Sequence, residues 1–270
     1  MPELPEVETT RRGIEPHLVK RTVTAAVVRE RRLRWPVPRS FETSISGQVI
    51  NAVRRRAKYL IVDTAAGSAL LHLGMSGSLR IVDPTTPLKK HDHVDIALDS
   101  GRILRYHDPR RFGSMHWLAP HSSHPLLDEL GPEPFDPDFD GAYLHRRAKG
   151  RRVSVKVFIM NAKIVVGVGN IYASEALFRA GIDPRRSAGR VSVQRYRALA
   201  EAIRSTLGDA IEVGGTTLRD FYGGDGEPGY FRQKLMVYER GDEPCRVCDT
   251  PVRRVVLGQR ATYFCRQCQR

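Results

Sequence analysis

The sequence predicts an α+β chain in several domains: a helix with an antiparallel β-sandwich or barrel, a helical domain, and a small cysteine-bearing β-hairpin. Three observations carry this reading. From Thr22 to Leu118 apolar residues alternate or form short β-branched runs, from Val193 to Ile211 they recur at helical spacing, and all four cysteines fall in the last 26 residues. At 270 residues, 41% hydrophobic and 27% charged, the chain can bury a sizeable core, and wholesale disorder is excluded. Its charge is unusual: 44 Lys and Arg against 30 Asp and Glu leave +14, which favours a polyanionic partner such as nucleic acid.

The elements follow in order. Val7, Ile14 and Leu18 mark one face of a helix from Pro2 to about Val19, with Pro2 and Glu3 suited to its first turn. Strands are expected at Val23–Val28, Val49–Val53, Tyr59–Asp63, Ala69–Leu73, Ser78–Val82, His93–Leu98 and Arg102–Tyr106, with a hairpin turn at Asp99-Ser100-Gly101. Gly131 to Gly141, with three prolines and four acids and no period, reads as an interdomain linker. Ser192 is the expected N-cap of a long helix that closes at Gly214-Gly215. The expected domains are therefore 1–130, a linker at 131–141, 142–235, and a terminal module at 236–270.

No apolar run approaches the ~18 residues of a membrane span. The first ten residues hold three glutamates and no base, unlike a secretory signal. With its cysteines confined to one end, the chain is expected to be a soluble, cytoplasmic protein.

Cys245-x2-Cys248 and Cys265-x2-Cys268, sixteen residues apart, have the spacing of a four-cysteine zinc site, favoured over free thiols or disulfides. Strands at Val252–Val256 and Thr262–Phe264 around a turn at Leu257 to Arg260 would make a zinc-held hairpin. With no further ligand candidate, that site is closed and structural. The module carries six arginines against Asp249 alone. They either solubilise it or reach nucleic acid, and Arg260 at the turn is placed for a groove or a phosphate.

Glu3, Glu6 and Glu8 open an otherwise basic chain. One reading is stabilisation of a helix dipole, worth about 0.3–1 kcal/mol each. The other is chemistry: removal of Met1 leaves Pro2 with a free secondary amine, whose pKa near ~8 makes it a nucleophile able to form a Schiff base. Both remain open on these residues alone. Gly167-Val168-Gly169 is not a dinucleotide loop, because Tyr172 holds the third glycine position and no βαβ pattern surrounds it, so no nucleotide cofactor is expected.

The motifs then become specific. Pro2-Glu3-Leu4-Pro5-Glu6-Val7-Glu8, Arg56-Ala57-Lys58-Tyr59-Leu60, His72-Leu73-Gly74-Met75-Ser76-Gly77, Lys90-His91-Asp92-His93 and Asp108-Pro109-Arg110-Arg111-Phe112-Gly113 resemble the formamidopyrimidine-DNA glycosylase family. So do Val165 to Glu175, Gly214-Gly215-Thr216-Thr217-Leu218 and Gln259 to Cys265, in the family's order along nearly the whole chain. The resemblance implies a β-sandwich with an N-terminal helix, a helix-two-turns-helix domain and a C-terminal zinc β-hairpin. It implies a bifunctional glycosylase and AP lyase of base-excision repair, acting on oxidised purines in double-stranded DNA as a monomer. Its nearest rivals are an endonuclease VIII-like enzyme for oxidised pyrimidines and a catalytically silent DNA-binding protein.

By the same resemblance Pro2 is the Schiff-base nucleophile and Glu3 the general acid/base. Lys58 is the proton donor for β-elimination, and Arg260 the donor for δ-elimination. Met75, Arg110 and Phe112 match the residues that fill the void left by the flipped nucleotide, although by type alone Met75 and Phe112 read as core. Asn170 and Arg260 match a phosphate clamp, with Lys156, His72 and His91 as further DNA-backbone contacts. Thr216 to Tyr230, rich in glycine, aligns with a flexible loop covering the flipped base. Where the family has an aspartate followed by Asn or Gln, this chain has Asn161-Ala162, which is expected to weaken an orienting hydrogen bond.

Overall fold

A computed structural model describes residues 2–215 and 234–270. They form two compact units, one of 2–128 with 213–215 and the other of 129–212 with 234–270. The covering loop expected at Thr216 to Tyr230 lies outside the described residues.

The first unit begins with α1 (Leu4–Leu18), followed by β1 (Val23–Val28), α2 (Phe41–Ile45), β2 (Ala52–Arg56), β3 (Tyr59–Thr64), β4 (Gly67–His72), β5 (Ser78–Val82), β6 (Asp92–Leu98), β7 (Ile103–His107), β8 (Ser114–Leu118) and α3 (Pro125–Asp128). The strands make two antiparallel four-stranded sheets, ordered β1-β6-β7-β5 and β2-β3-β4-β8. One cluster of buried side chains draws on both sheets and on α1, through Val23, Ile96 and Leu104, Val53, Leu60 and Leu71, and Val7, Ile14 and Leu18. The strands are thus a sandwich and not a barrel, with α1 sharing the core. The expected strand at Val49–Val53 starts only at Ala52. Ile50 instead exchanges main-chain hydrogen bonds with Lys20 and Arg21, which commits the preceding residues to the turn after α1.

The second unit holds α4 (Gly141–Ala148), α5 (Val155–Ile159), α6 (Asn170–Arg179) and α7 (Val193–Glu212), then β9 (Arg253–Leu257) and β10 (Arg260–Phe264). The stretch expected as a linker is built into this unit. Gly131 N–H donates to the Ala162 carbonyl at 2.8 Å, and Phe139 is fully buried. The Arg204 guanidinium of α7 donates to the carbonyls of Pro134, Asp136 and Phe139. Prolines cannot pair through their nitrogens, so one arginine satisfies the carbonyls that regular structure leaves over. Two turns separate α5 from α6. Asn161 Oδ1 accepts Lys163 N–H at 2.9 Å, so an amide oxygen, a weaker acceptor than a carboxylate, holds this turn.

Asp108 is the fastener of the sandwich loops. It is fully buried, and its carboxylate accepts Ser76 Oγ–H at 2.8 Å, Tyr106 O–H at 3.0 Å and Gly113 N–H at 2.9 Å. This staples the β4–β5 loop to the β7–β8 loop. The two approach so closely that a Cβ on Gly74, whose φ is +65°, would sit 2.4 Å from Gly113 N. Asp108→Ala leaves three buried donors unsatisfied, each costing about 1–3 kcal/mol. Urea unfolding should therefore report a loss on the order of 3 kcal/mol or more, and an unchanged midpoint would refute the fastener.

Candidate active site

In the first unit the site grows from the start of α1. Glu3 is the N-cap with extended backbone, and its N–H donates to Glu6 Oε2 at 2.8 Å. Pro2, Glu3 and Glu6 are all buried. The three glutamates therefore differ. Glu6 caps the helix and packs against Gly215, where a Cβ would meet its Oε1 at 3.0 Å. Glu8 is partly desolvated, yet hydrogen bonds from Arg11 and Arg12 and the charge of Arg55 hold its carboxyl below the usual range. Glu3, beside Pro2, completes the capping box, its side chain accepting the Glu6 backbone N–H.

Lys58 lies in the two-residue turn between β2 and β3, where Ala57 takes φ +55°. Arg55 fixes this turn to α1, with Nη1 on the Ala57 carbonyl at 2.9 Å and Nε on Glu8 at 3.2 Å. Thus α1, whose start Pro2 and Glu3 precede, and the turn that carries Lys58 share one arginine.

The loops stapled by Asp108 carry Met75, Arg110 and Phe112. Phe112 is 42% exposed, with the Arg110 guanidinium stacked 4.7 Å above its ring, so it lies on the surface and is no part of the core. Met75 is half-buried. His72 Nδ1 accepts Gly74 N–H at 3.0 Å, and burial, with the charges of Lys58 and Arg34, lowers its pKa to about 4. Its ring is neutral near pH 7, so it offers a phosphate no charge and only its other nitrogen. Burial and neighbouring His107 and His93 likewise lower His91.

In the second unit Lys156 departs from expectation. Expected at the DNA backbone, it is fully buried, and its ammonium donates to Asn170 Oδ1 at 2.7 Å, Thr262 Oγ1 at 2.9 Å and the Ala261 carbonyl at 3.2 Å. It ties α5 to α6 and β10. Asn170, the first residue of α6, donates Nδ2–H to Ala261 O at 3.0 Å and to Tyr238 Oη at 3.4 Å. Arg260 opens β10 after a Gly258-Gln259 turn with both φ values positive, a type I′ geometry, and is exposed. The hairpin tip abuts α5, for a Cβ on Gly258 would lie 2.8 Å from Val157.

Sequence reasoning gave no role to Asp108 or to Glu175. Glu175, nearly buried, accepts the N–H groups of Met236, Val237 and Tyr238 at 2.8–3.0 Å and so positions the segment that supplies Tyr238. Asp108 stood inside a quoted motif, but nothing in its spacing distinguishes a buried acid from an exposed one.

The four cysteines converge. Their Sγ atoms lie within 4.8 Å of one another, with pairs at 3.4, 3.5 and 3.9 Å. Sulfurs about 2.3 Å from a tetrahedral zinc would lie about 3.8 Å apart, so this set fits one Zn²⁺. A zinc ion there supplies cross-linking of the hairpin and no reaction step. Phe178, Val237 and Val252 pack against the buried pair Cys245 and Cys265. Chelation should unfold the hairpin, abolish DNA binding and leave the sandwich folded. Full affinity after verified loss of zinc would refute this.

Comparison with known proteins agrees with this geometry. Residues 1–115 match the formamidopyrimidine-DNA glycosylase N-terminal domain, 130–222 the H2TH domain of the same glycosylase, and 242–270 the zinc finger found in FPG and IleRS. A formamidopyrimidine-DNA glycosylase of Stutzerimonas stutzeri is 61% identical over 270 residues, covering all of both chains. The Lactococcus lactis Fpg solved with abasic-site DNA superposes with TM-score 0.92 at 30% identity over 99% of each chain. Its G226P mutant, solved with Fapy-dG DNA, gives 0.93 at 29% over the full length of both. This chain belongs to the formamidopyrimidine-DNA glycosylase family.

Proposed function

We propose that the chain excises oxidised purines, 8-oxoguanine and formamidopyrimidines, from duplex DNA and then cuts the strand at the abasic site. The observation that carries this is the terminal pair: Pro2 and Glu3 buried together at the cap of α1, in a chain of this family. Once Met1 is removed, the Pro2 nitrogen attacks C1′. A bond from nitrogen to C1′ forms, the glycosidic bond breaks, and the base leaves with its electron pair and a proton. Glu3 protonates the ring oxygen as the sugar opens to the iminium, then takes protons back. The iminium acidifies C2′–H, and its loss expels the 3′ phosphate. A second elimination expels the 5′ phosphate, leaving a one-nucleotide gap with phosphate at both ends. Lys58 and Arg260 are the proton donors for these steps, and hydrolysis of the imine returns free Pro2.

C1′ is shielded in a stacked duplex, so the nucleotide is extruded at a cost of a few kcal/mol. Met75 and Phe112 occupy the void, and Arg110 pairs with the orphaned cytosine. Arg260 and the amino-terminal end of α6 with Asn170 hold the lesion-strand phosphates. Lys156 acts behind them as a positioning residue, and His72 and His91 are minor contacts. The protein works as a monomer in the cytoplasm, on nucleoid DNA, with 1–130 as the catalytic part and 236–270 as the zinc hairpin. No observation favours the oxidised-pyrimidine alternative.

Borohydride trapping tests the mechanism. Protein lacking Met1 should form a covalent adduct with a duplex carrying 8-oxoguanine opposite cytosine, much less with a thymine-glycol duplex, and none as Pro2→Ala. An absent adduct would move the reading to a silent DNA-binding protein. Arg260→Ala should weaken binding across all sequences and reduce the salt slope by about one unit, as for one lost phosphate contact. An unchanged slope would sink that role.

A further inference from the structure

A second strongly basic site lies in the second unit, away from the clamp. The loop after α6 and the last residues of the chain enclose an open cleft of about 710 Å³, lined by Asp183, Arg185, Arg186, Arg190, Arg266 and Arg270 with two further polar residues and no apolar one. All five arginines are exposed. Asp183 is already spent, because Arg185 donates to its carboxylate from Nη2 at 2.6 Å and Nε at 3.0 Å. Among the described residues no carboxylate lies within ion-pair distance of the other four guanidinium groups. The crowding of positive charge reaches neighbouring Arg195, whose pKa is lowered by burial and by the charge of Arg186.

The cleft is mounted on fixed backbone. Val155 N–H donates to Arg186 O at 2.7 Å, and Ala188 N–H to Val153 O at 2.9 Å. Gln269, 2% exposed, accepts Cys265 N–H and donates to Ile182 O, both at 2.9 Å, joining the zinc module to the loop. Arg185 also stacks 4.7 Å over Phe264. Asn170 and Arg260 stand at the starts of α6 and β10, whereas the cleft follows the ends of both. Ten helical residues at about 1.5 Å each make α6 roughly 15 Å long, and five strand residues at about 3.3 Å give β10 a similar length, so the two sites stand at opposite ends of these elements.

We propose that this cleft is a second nucleic-acid site, which binds the phosphodiester backbone of a DNA segment other than the stretch held at Asn170 and Arg260. The proposal rests on the glycosylase reading above. Guanidinium forks match phosphate oxygens in a bidentate manner, and a backbone already held in place loses little entropy on binding. A phosphodiester chain suits a wall with no apolar side chain, whereas an acidic peptide would find no pocket for its own apolar residues. Two separate phosphate sites would let the protein hold one segment while sampling another, and so move between segments in search of damage.

The test uses the full, zinc-loaded protein. Borohydride trapping on an 8-oxoguanine duplex fills the first site covalently, and a fluorescein-labelled undamaged duplex is then titrated against the complex by anisotropy. The wild-type complex should bind the labelled duplex with an affinity that falls as salt rises. Arg186→Glu with Arg190→Glu should weaken it at least about tenfold, while trapping stays at the wild-type rate and the melting curve is unchanged; Arg186→Gln with Arg190→Gln should fall between. Equal binding by wild type and the Glu variant, or none by wild type, would overturn the proposal. So would tighter binding of a glutamate-rich peptide in a parallel titration. If wild type fails to trap at all, the glycosylase reading fails instead. The second site is then read on free protein, from two labelled duplexes per wild-type chain against one per variant.

Discussion

Lys156 has no access to water, so its ammonium must find protein acceptors for its protons, and the second unit is arranged to provide them. The acceptors come from α6 and β10, so the helix start and the zinc hairpin are locked in one geometry. Losing any of them would leave one proton of a buried ammonium without its acceptor, which costs more than one ordinary hydrogen bond contributes. Glu175 does the same with opposite sign, gathering three consecutive N–H groups against α6. Asp108 repeats the device in the sandwich. The residues proposed to meet DNA are thus carried on segments whose buried charges permit few alternatives.

This arrangement divides the charged residues by task. Many arginines are committed to internal ion pairs, as Arg105 is to Asp95 at 2.9 Å and Arg55 is to Glu8. Such pairs hold loops and contribute little to an external field. The surplus of +14 is therefore expressed by exposed arginines such as Arg110, Arg260 and those of the cleft around Arg186. A polyanion meets guanidinium groups whose counter-charges it supplies itself, with release of its own counterions.

The amino-terminal glutamates illustrate how closely structure and chemistry overlap. Helix stabilisation and catalysis competed as readings of Glu3, Glu6 and Glu8. In the fold Glu3 and Glu6 close a reciprocal capping box on α1 and Glu8 binds arginines, so all three serve structure, and only Glu3 also stands beside Pro2. The cap is what holds the terminal residues still, because a free chain end otherwise frays.

Periodicity alone located α1, α7 and most strands, since each buries one face and the pattern of that face is local. The cysteine spacing likewise specified its module, because tetrahedral ligation by two tight turns leaves few alternatives. Residue chemistry alone leaves Pro2 as one of two open readings and places Arg260 at a turn, whereas roles for Glu3, Lys58 and Asn170 are legible only through motifs. What the sequence could not decide is which polar residues lie inside. Lys156 was read as a surface contact and is buried, Phe112 reads as core by type and is exposed, and Gly131 to Gly141 read as a linker and is packed beneath Arg204. Burial depends on which distant segments arrive at a residue, and two partners of Lys156 lie more than 100 residues away at Ala261 and Thr262. Local pattern determines the elements; only their assembly decides whether a charge faces water, DNA or another part of the chain.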